Sequence, residues 1–185
     1  SVEVIRDREG LKLLVEGALY AAHFNRPEKT PTPWLVLAAA PFLCSNRRNG
    51  APPHIAILGY GGGTMARLLR AAIPDVQITG LEPDPAVRRA ARSELGRDVR
   101  GVRLIAERAE VFLERTGDRF DAILDDVYAP VHGRLARPEA GVRFPALARR
   151  RLKPGGVYAA NLISPPTRME RRTQEQVAAA FRFGA

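Results

Sequence analysis

A chain of 185 residues with 45% apolar composition is long enough for one compact domain with a substantial core and too short for two ordinary ones. A charged fraction of 26%, with 16 glycines and 15 prolines, excludes a disordered tail, a coiled coil and a collagen-like repeat. The net charge is +9, from 29 basic and 20 acidic residues, but the basic residues are scattered and aromatic residues make up only 6%; this describes a solvated basic surface, not the aromatic-interleaved stripe of a nucleic-acid groove.

Residues 2–22 read as β-hairpin material, with apolar groups separated by turn-forming residues at Asp7–Gly10 and Glu16-Gly17. Residues 25–33 form a Pro-rich connector, Trp34 to Leu43 a buried helix, and Ser45 to Pro53 a polar loop. The apolar stretch Trp34–Cys44 is interrupted by Pro41 and falls short of the roughly 20 residues that a membrane span requires. No secretory signal precedes it. The single Cys44 excludes an intrachain disulfide and any Cys-based zinc site, and a reducing, cytoplasmic compartment is compatible with it. The chain opens on Ser1, so an initiator methionine is expected upstream.

From His54 onward, short apolar runs alternate with helical spacing. Strands are expected at 55–58, 76–81, 102–105, 121–124 and 157–162. Helices are expected around Met65–Ala72, Val87–Leu95, Ala109–Leu113, Val142–Leu152 and Arg168–Ala180. Asp84 is placed to cap the second of these helices ahead of Pro85, Pro145 is tolerable only in a first turn, and Thr167…Glu170 or Thr173…Gln176 forms a capping box for the last. Lys153-Pro-Gly-Gly156 reads as a tight turn. Strands that are nearly continuously apolar call for a parallel sheet covered on both faces, hence an α/β, doubly wound fold with a small N-terminal hairpin segment. Ligands of such folds sit at the carboxyl ends of the strands.

Three groups of residues fall there. Leu58-Gly-Tyr-Gly-Gly-Gly-Thr64 follows the first strand of the alternating part, and glycines at this point let backbone amides approach a ligand. The dinucleotide fingerprint would need Gly or Ala where Thr64 stands; the spacing is that of a loop around the amino-acid end and ribose of S-adenosylmethionine. Glu82, at the end of the next strand, is suited to accept hydrogen bonds from ribose hydroxyls. Asp125 and Asp126 leave the fourth strand together; their mutual repulsion should raise one pKa, and a carboxylate held there can take a proton or orient an amine. His23, His54 and His132 share no metal-ligand motif, and no metal is expected.

In this order the motifs resemble those of the spermidine synthase family, the polyamine aminopropyltransferases of the class I S-adenosylmethionine-dependent methyltransferase type, a Rossmann-like fold. The matching residues are the Leu13-Leu-Val-Glu-Gly17 turn, the glycine loop, Glu82 with Asp84, the Phe120–Asp126 strand and the Leu152-Lys-Pro-Gly-Gly156 turn. The resemblance implies a hairpin segment and linker at 1–30, a nucleoside-binding transferase domain at 31–185, and two further strands beyond Phe181-Arg-Phe-Gly-Ala185. It implies cofactor contacts from Gly59, Tyr60, Gly61, Gly63, Glu82, Arg108 and Ala109, substrate contacts from Tyr20 and Tyr128, and catalysis by Asp126. The implied reaction is aminopropyl transfer from decarboxylated S-adenosylmethionine to an amine such as putrescine, in a homodimer.

Gly62 stands where the family has an Asp, Glu107-Arg108-Ala109 where it has Gly-Asp-Ala, and Tyr20 where it has a Gln, and the loop Asp126-Val-Tyr-Ala-Pro130 has no second Asp. Two alternatives therefore stand beside aminopropyl transfer: methyl transfer from S-adenosylmethionine, and a non-catalytic nucleoside-binding homologue.

Overall fold

Two turns shape the N-terminal part of the computed structural model, which describes residues 1–45, 51–93, 101–131, 134–163 and 165–181. At the first, Asp7 Oδ1 accepts the Glu9 and Gly10 N–H groups at 2.8 and 3.1 Å. At the second, Glu16 and Gly17 both adopt positive φ (49° and 79°), which matches a two-residue connection to the twist of its strands. The strands they join, β1 (Val2–Arg6), β2 (Gly10–Val15) and β3 (Ala18–Phe24), form an antiparallel sheet in that order. The third strand runs two residues beyond the expected hairpin.

Residues 32–43 depart from the expected single buried helix. The α-helix α1 (Thr32–Ala39) gives way to a 3₁₀ turn at Ala40–Leu43, where Pro41 has no N–H to continue the ladder. Trp34, Leu37 and Ala38 are buried, while Val36 and Leu43 are 63% and 76% exposed.

The alternating part follows as β4 (His54–Leu58), α2 (Thr64–Ala72), β5 (Gln77–Leu81), α3 (Pro85–Ser93), β6 (Val102–Ile105), α4 (Ala109–Arg115), β7 (Phe120–Asp125), β8 (Ala129–Val131), β9 (Arg134–Ala136), α5 (Phe144–Arg151), β10 (Leu152–Ala160) and α6 (Arg168–Ala180). Five strands make a parallel sheet in the order β10-β7-β4-β5-β6. Alternation along β4 divides the core: Ile55 and Ile57 pack with Leu69, Ile73 and Ile78 on one face, and Ala56 and Leu58 with Phe112, Leu113 and Phe144 on the other. This is the doubly wound, Rossmann-like architecture expected from the sequence.

The N-terminal sheet is fastened over one edge of the site. Leu13, Val15 and Ala21 cluster with Val87 of α3, and Thr64 Oγ1 at the start of α2 exchanges hydrogen bonds with both backbone groups of Ala22 (2.9 and 3.1 Å).

Some local expectations change. The long segment after β7 contains the hairpin β8–β9. Lys153–Gly156 is not a separate turn but an irregularity inside β10, whose pairing with β7 begins at Leu152↔Phe120 and resumes at Val157↔Ala122. The strand then ends at Ala160, not Leu162. Residues Glu139–Arg143 are 3₁₀, so α5 is shorter than expected and Pro145 does lie in its first turn. Of the two possible capping boxes the one at Thr167 and Glu170 forms: Glu170 accepts the Thr167 N–H at 3.0 Å. Leu95, His132 and residues 182–185 lie outside the described residues.

Candidate active site

The parallel strands end nearly flush, with Leu58 level with Leu81 and with Asp125, and Leu81 level with Ile105. The residues that follow them therefore share one rim, and a cavity of about 610 Å³ opens there. That volume lies within the ~300–1,000 Å³ typical of ligand sites. Gly59, Gly61, Glu82, Arg108, Ala109 and Asp126 line it, with Tyr20 and Tyr128 closing over from the N-terminal sheet and the β7–β8 connection.

Gly59 has φ of 76°, and a Cβ there would sit 2.6 Å from the Asp126 carbonyl oxygen, so only glycine lets these two strand ends approach. Glu82 is 5% exposed; its Oε2 accepts the Gly61 N–H and its Oε1 the Asp84 N–H, both at 3.0 Å. Burial pushes its pKa up, against the pull of those two amides. Asp84 Oδ1 accepts the Ala86 N–H at 2.7 Å, which makes it the α3 cap the sequence indicated. Arg108 precedes α4, and its guanidinium pairs with Glu110 at 2.6 Å.

Two of the glycine-loop residues expected at the cofactor, Tyr60 and Gly63, do not line the cavity. Tyr60 is 3% exposed and turns beneath the sheet, where Gly80 leaves room for its ring; a Cβ on Gly80 would lie 2.3 Å from that ring. Its backbone N–H is engaged by Leu81 O at 2.8 Å. Gly63, in left-handed conformation, starts α2 and donates its N–H to Tyr60 O at 3.0 Å.

The two carboxylates at the end of β7 have separate environments. Asp125 is fully buried and paired with Arg137, which is also fully buried; Tyr158 donates to the same carboxylate. Thr173 of α6 accepts from Arg137 Nε at 3.1 Å, and so completes a closed network behind the cavity wall. Asp126 faces the cavity. Trp34 Nε1 donates to its Oδ2 at 2.9 Å and Asn161 Nδ2 to its Oδ1 at 2.8 Å. Burial pushes the Asp126 pKa up to about 6, opposed by the Asn161 and Trp34 hydrogen bonds; repulsion from Asp125 ranks below these, and the Arg137 charge pulls the other way. The elevation expected from the sequence is present, but its main cause is burial and not the neighbouring carboxylate.

Tyr20 donates its hydroxyl to Tyr128 O at 3.1 Å, and Tyr128 donates to Asn161 O at 3.0 Å while accepting the Ile163 N–H at 3.1 Å. Burial raises both tyrosine pKa values, that of Tyr128 to about 12. Both phenols remain neutral near pH 7 and tie the cavity roof together.

Trp34, Asn161, Glu16 and Glu110 were not among the site residues read from the sequence. Asn161 carried a usable signal, since it directly follows β10 at the same rim. Asp121 lies at the other end of β7, where its Oδ2 accepts from Lys153 Nζ at 2.7 Å and from the His54 N–H at 2.8 Å. Among the described residues no group of three or more His, Cys, Asp or Glu side chains is arranged to hold a metal ion, and no helix is long and apolar enough to cross a membrane.

The charges around the cavity oppose those of the whole chain. Carboxylates of Glu16, Glu82, Asp84, Glu110 and Asp126 line it, and Arg108 is the one cation among the described lining residues.

Comparison with known proteins bears on the fold. No family model matches the chain. A protein of Bifidobacterium longum (strain NCC 2705) named a probable polyamine aminopropyl transferase is 29% identical over 124 residues, which cover 67% of this chain and 26% of that protein. The chain resembles the spermidine synthases. The crystal structure of a probable spermidine synthase from Corynebacterium glutamicum ATCC 13032 matches with TM-score 0.70 and 24% identity, over 86% of this chain and 59% of that one. A spermidine synthase in complex with the transition-state analogue AdoDATO matches with TM-score 0.72 and 18% identity, over 98% and 60%. The chain thus spans about a quarter of the curated relative and about three-fifths of the solved synthases.

Proposed function

We propose that the chain is the nucleoside-binding and catalytic part of an aminopropyltransferase, which uses decarboxylated S-adenosylmethionine and a primary amine. The carrying observation is the acidic cavity of a basic protein, with Asp126 in its wall. A ligand that bears cationic centres and no carboxylate is matched by five carboxylates and one already paired guanidinium. The curated relative's name and the AdoDATO bound to one synthase support the same chemistry.

The cavity fits such a co-substrate: its volume suits a nucleoside, Gly59 and Gly61 permit close backbone approach, and the Glu82 carboxylate is held by amides in position to accept from ribose hydroxyls. Decarboxylated S-adenosylmethionine supplies a propyl carbon bonded to a sulfonium, and attack by an amine nitrogen breaks that C–S bond with both electrons going to sulfur. Asp126 takes the proton that an ammonium must lose before it can attack. Its pKa near 6 leaves it ionised at pH 7 yet more basic than an ordinary Asp. Trp34 and Asn161 fix the carboxylate from both oxygens and leave it no freedom to fold away. Tyr20 and Tyr128 shelter the reacting atoms from water.

Release of methylthioadenosine from decarboxylated S-adenosylmethionine plus amines tests the proposal. Asp126→Asn should lower kcat by about 10²–10⁴. Full turnover by that variant would remove Asp126 from the chemistry.

A further inference from the structure

Resting on the reading of Asp126 as proton acceptor, we infer that Arg137 is a positioning residue for it and acts through Asp125. Asp126 stands inside a short turn that the Asp125 side chain closes: Asp125 Oδ1 accepts the Val127 N–H at 3.2 Å, across Asp126. The same residue also fixes Asn161. The Asn161 N–H donates to Asp125 O at 2.8 Å, and its Nδ2 then reaches Asp126 Oδ1 at 2.8 Å. The direction of the Asp126 carboxylate therefore depends on how firmly Asp125 is held.

Arg137 supplies the hold. Its guanidinium meets the Asp125 carboxylate as a fork, with Nη1 3.4 Å from Oδ1 and Nη2 on Oδ2, and Tyr158 donates to that second oxygen as well. The guanidinium is itself fixed on two further sides, where Nε donates to Thr173 Oγ1 of α6 at 3.1 Å and Nη2 to Gly141 O at 3.3 Å. Gly141 keeps the space this requires. The three atoms nearest to a Cβ on Gly141 all belong to Arg137, with Nε at 2.9 Å. A planar fork held in this way fixes direction as well as charge, which a single ammonium would not.

The place of Arg137 in the chain adds a second effect. It follows β9 and lies between Leu135 and Pro138, both of which line the cavity. Its pairing with Asp125 therefore seats the β8–β9 hairpin over the strand end that carries Asp126, and one contact sets both roof and proton acceptor. A buried ion pair is often no more stabilising than an apolar pair of the same size, so stability gives little reason for charges at this point; alignment of Asp126 does.

The test uses two variants of the full chain. Arg137→Met with Asp125→Asn removes both charges together, and Gly141→Ala keeps both while crowding the fork; thermal unfolding checks that each is folded. Trp34 is the one tryptophan of the chain, and its indole N–H lies 2.9 Å from Asp126 Oδ2. It gives a single indole cross-peak in a proton–nitrogen correlation spectrum, which reports the hold on that carboxylate without any turnover. In both variants this cross-peak should shift or broaden. In the double variant kcat for methylthioadenosine release should fall at least about tenfold, since misplacement by about 1 Å can cost about 10². The KM for decarboxylated S-adenosylmethionine should stay within about twofold, because the nucleoside contacts are untouched. A cross-peak unchanged in the folded variants, or an unchanged kcat in the folded double variant, overturns the positioning role and leaves aminopropyl transfer standing. Absence of methylthioadenosine release by the unmodified chain overturns aminopropyl transfer, and the indole cross-peak then decides the positioning role by itself.

Discussion

Replacing Trp34 by Phe removes one of the two donors that hold Asp126 and leaves an aromatic ring in the cluster around Leu37 and Ala38. The indole N–H lies 2.9 Å from Oδ2 and favours the ionised carboxylate, so its loss must raise the Asp126 pKa from about 6. A hydrogen bond to a charged group is worth about 1.5–3 kcal/mol, or about 1–2 pH units. Asp126 is reached from the cavity, where water can replace part of the lost bond, so the lower figure applies: the limb should move up by about one unit. The assay is kcat/KM against pH for both proteins, with thermal unfolding as the check that the Phe variant is folded. The acid limb of the unmodified enzyme should lie near pH 6 and that of Trp34→Phe near 7. A limb that stays in place, or moves down, refutes the assignment of Trp34 as the residue that tunes Asp126.

The buried pair gives a stability prediction: Arg137→Met should destabilise by about 3–5 kcal/mol in urea unfolding by leaving Asp125 charged and unpaired, and adding Asp125→Asn should recover most of that loss. Two glycines separate strain from collision. Gly59→Ala meets the Asp126 carbonyl and should both lower the melting temperature and weaken nucleoside binding, whereas Gly17→Ala, at similar φ with nothing within 4 Å, should cost only about 1 kcal/mol and leave binding intact. The raised pKa of Asp126 also has a thermodynamic sign: between the ordinary value of 3.8 and about 6 the folded state holds the proton more tightly, so its contribution to stability is present at low pH and is lost as pH rises through about 6. The stability of Asp126→Asn relative to the unmodified chain should therefore rise across that window by up to about 3 kcal/mol, measured by urea unfolding at several pH values.

The residues most legible in the sequence were those whose position depends on strand ends alone. Glu82 and Asp126 each follow a short apolar run, and because the strands are in flush register both arrive at one rim. Asp84 was equally legible, since a cap followed by proline is a local signal. What required the fold was long-range. Trp34 reaches Asp126 across 92 residues and Arg137 reaches Asp125 from a segment read as loop, and neither contact leaves a periodic trace. The family resemblance implied a cofactor contact for Tyr60; its ring instead fills the room that Gly80 leaves in the neighbouring strand, which spacing does not reveal. The environments of the acidic pair needed the fold for the same reason. Adjacency pointed to repulsion between the two carboxylates, but alternation past the end of β7 sends Asp125 to Arg137 and leaves Asp126 facing the cavity, where burial is the larger cause of its raised pKa.

The most direct measurement is a side-by-side calorimetric titration of the full chain with decarboxylated S-adenosylmethionine and with S-adenosylmethionine. The two ligands differ by one carboxylate, and the cavity lining carries five carboxylates with its one described cation already paired to Glu110. The decarboxylated form should bind more tightly. Tighter binding of the carboxylated form, or binding of neither, would contradict aminopropyl transfer at this site.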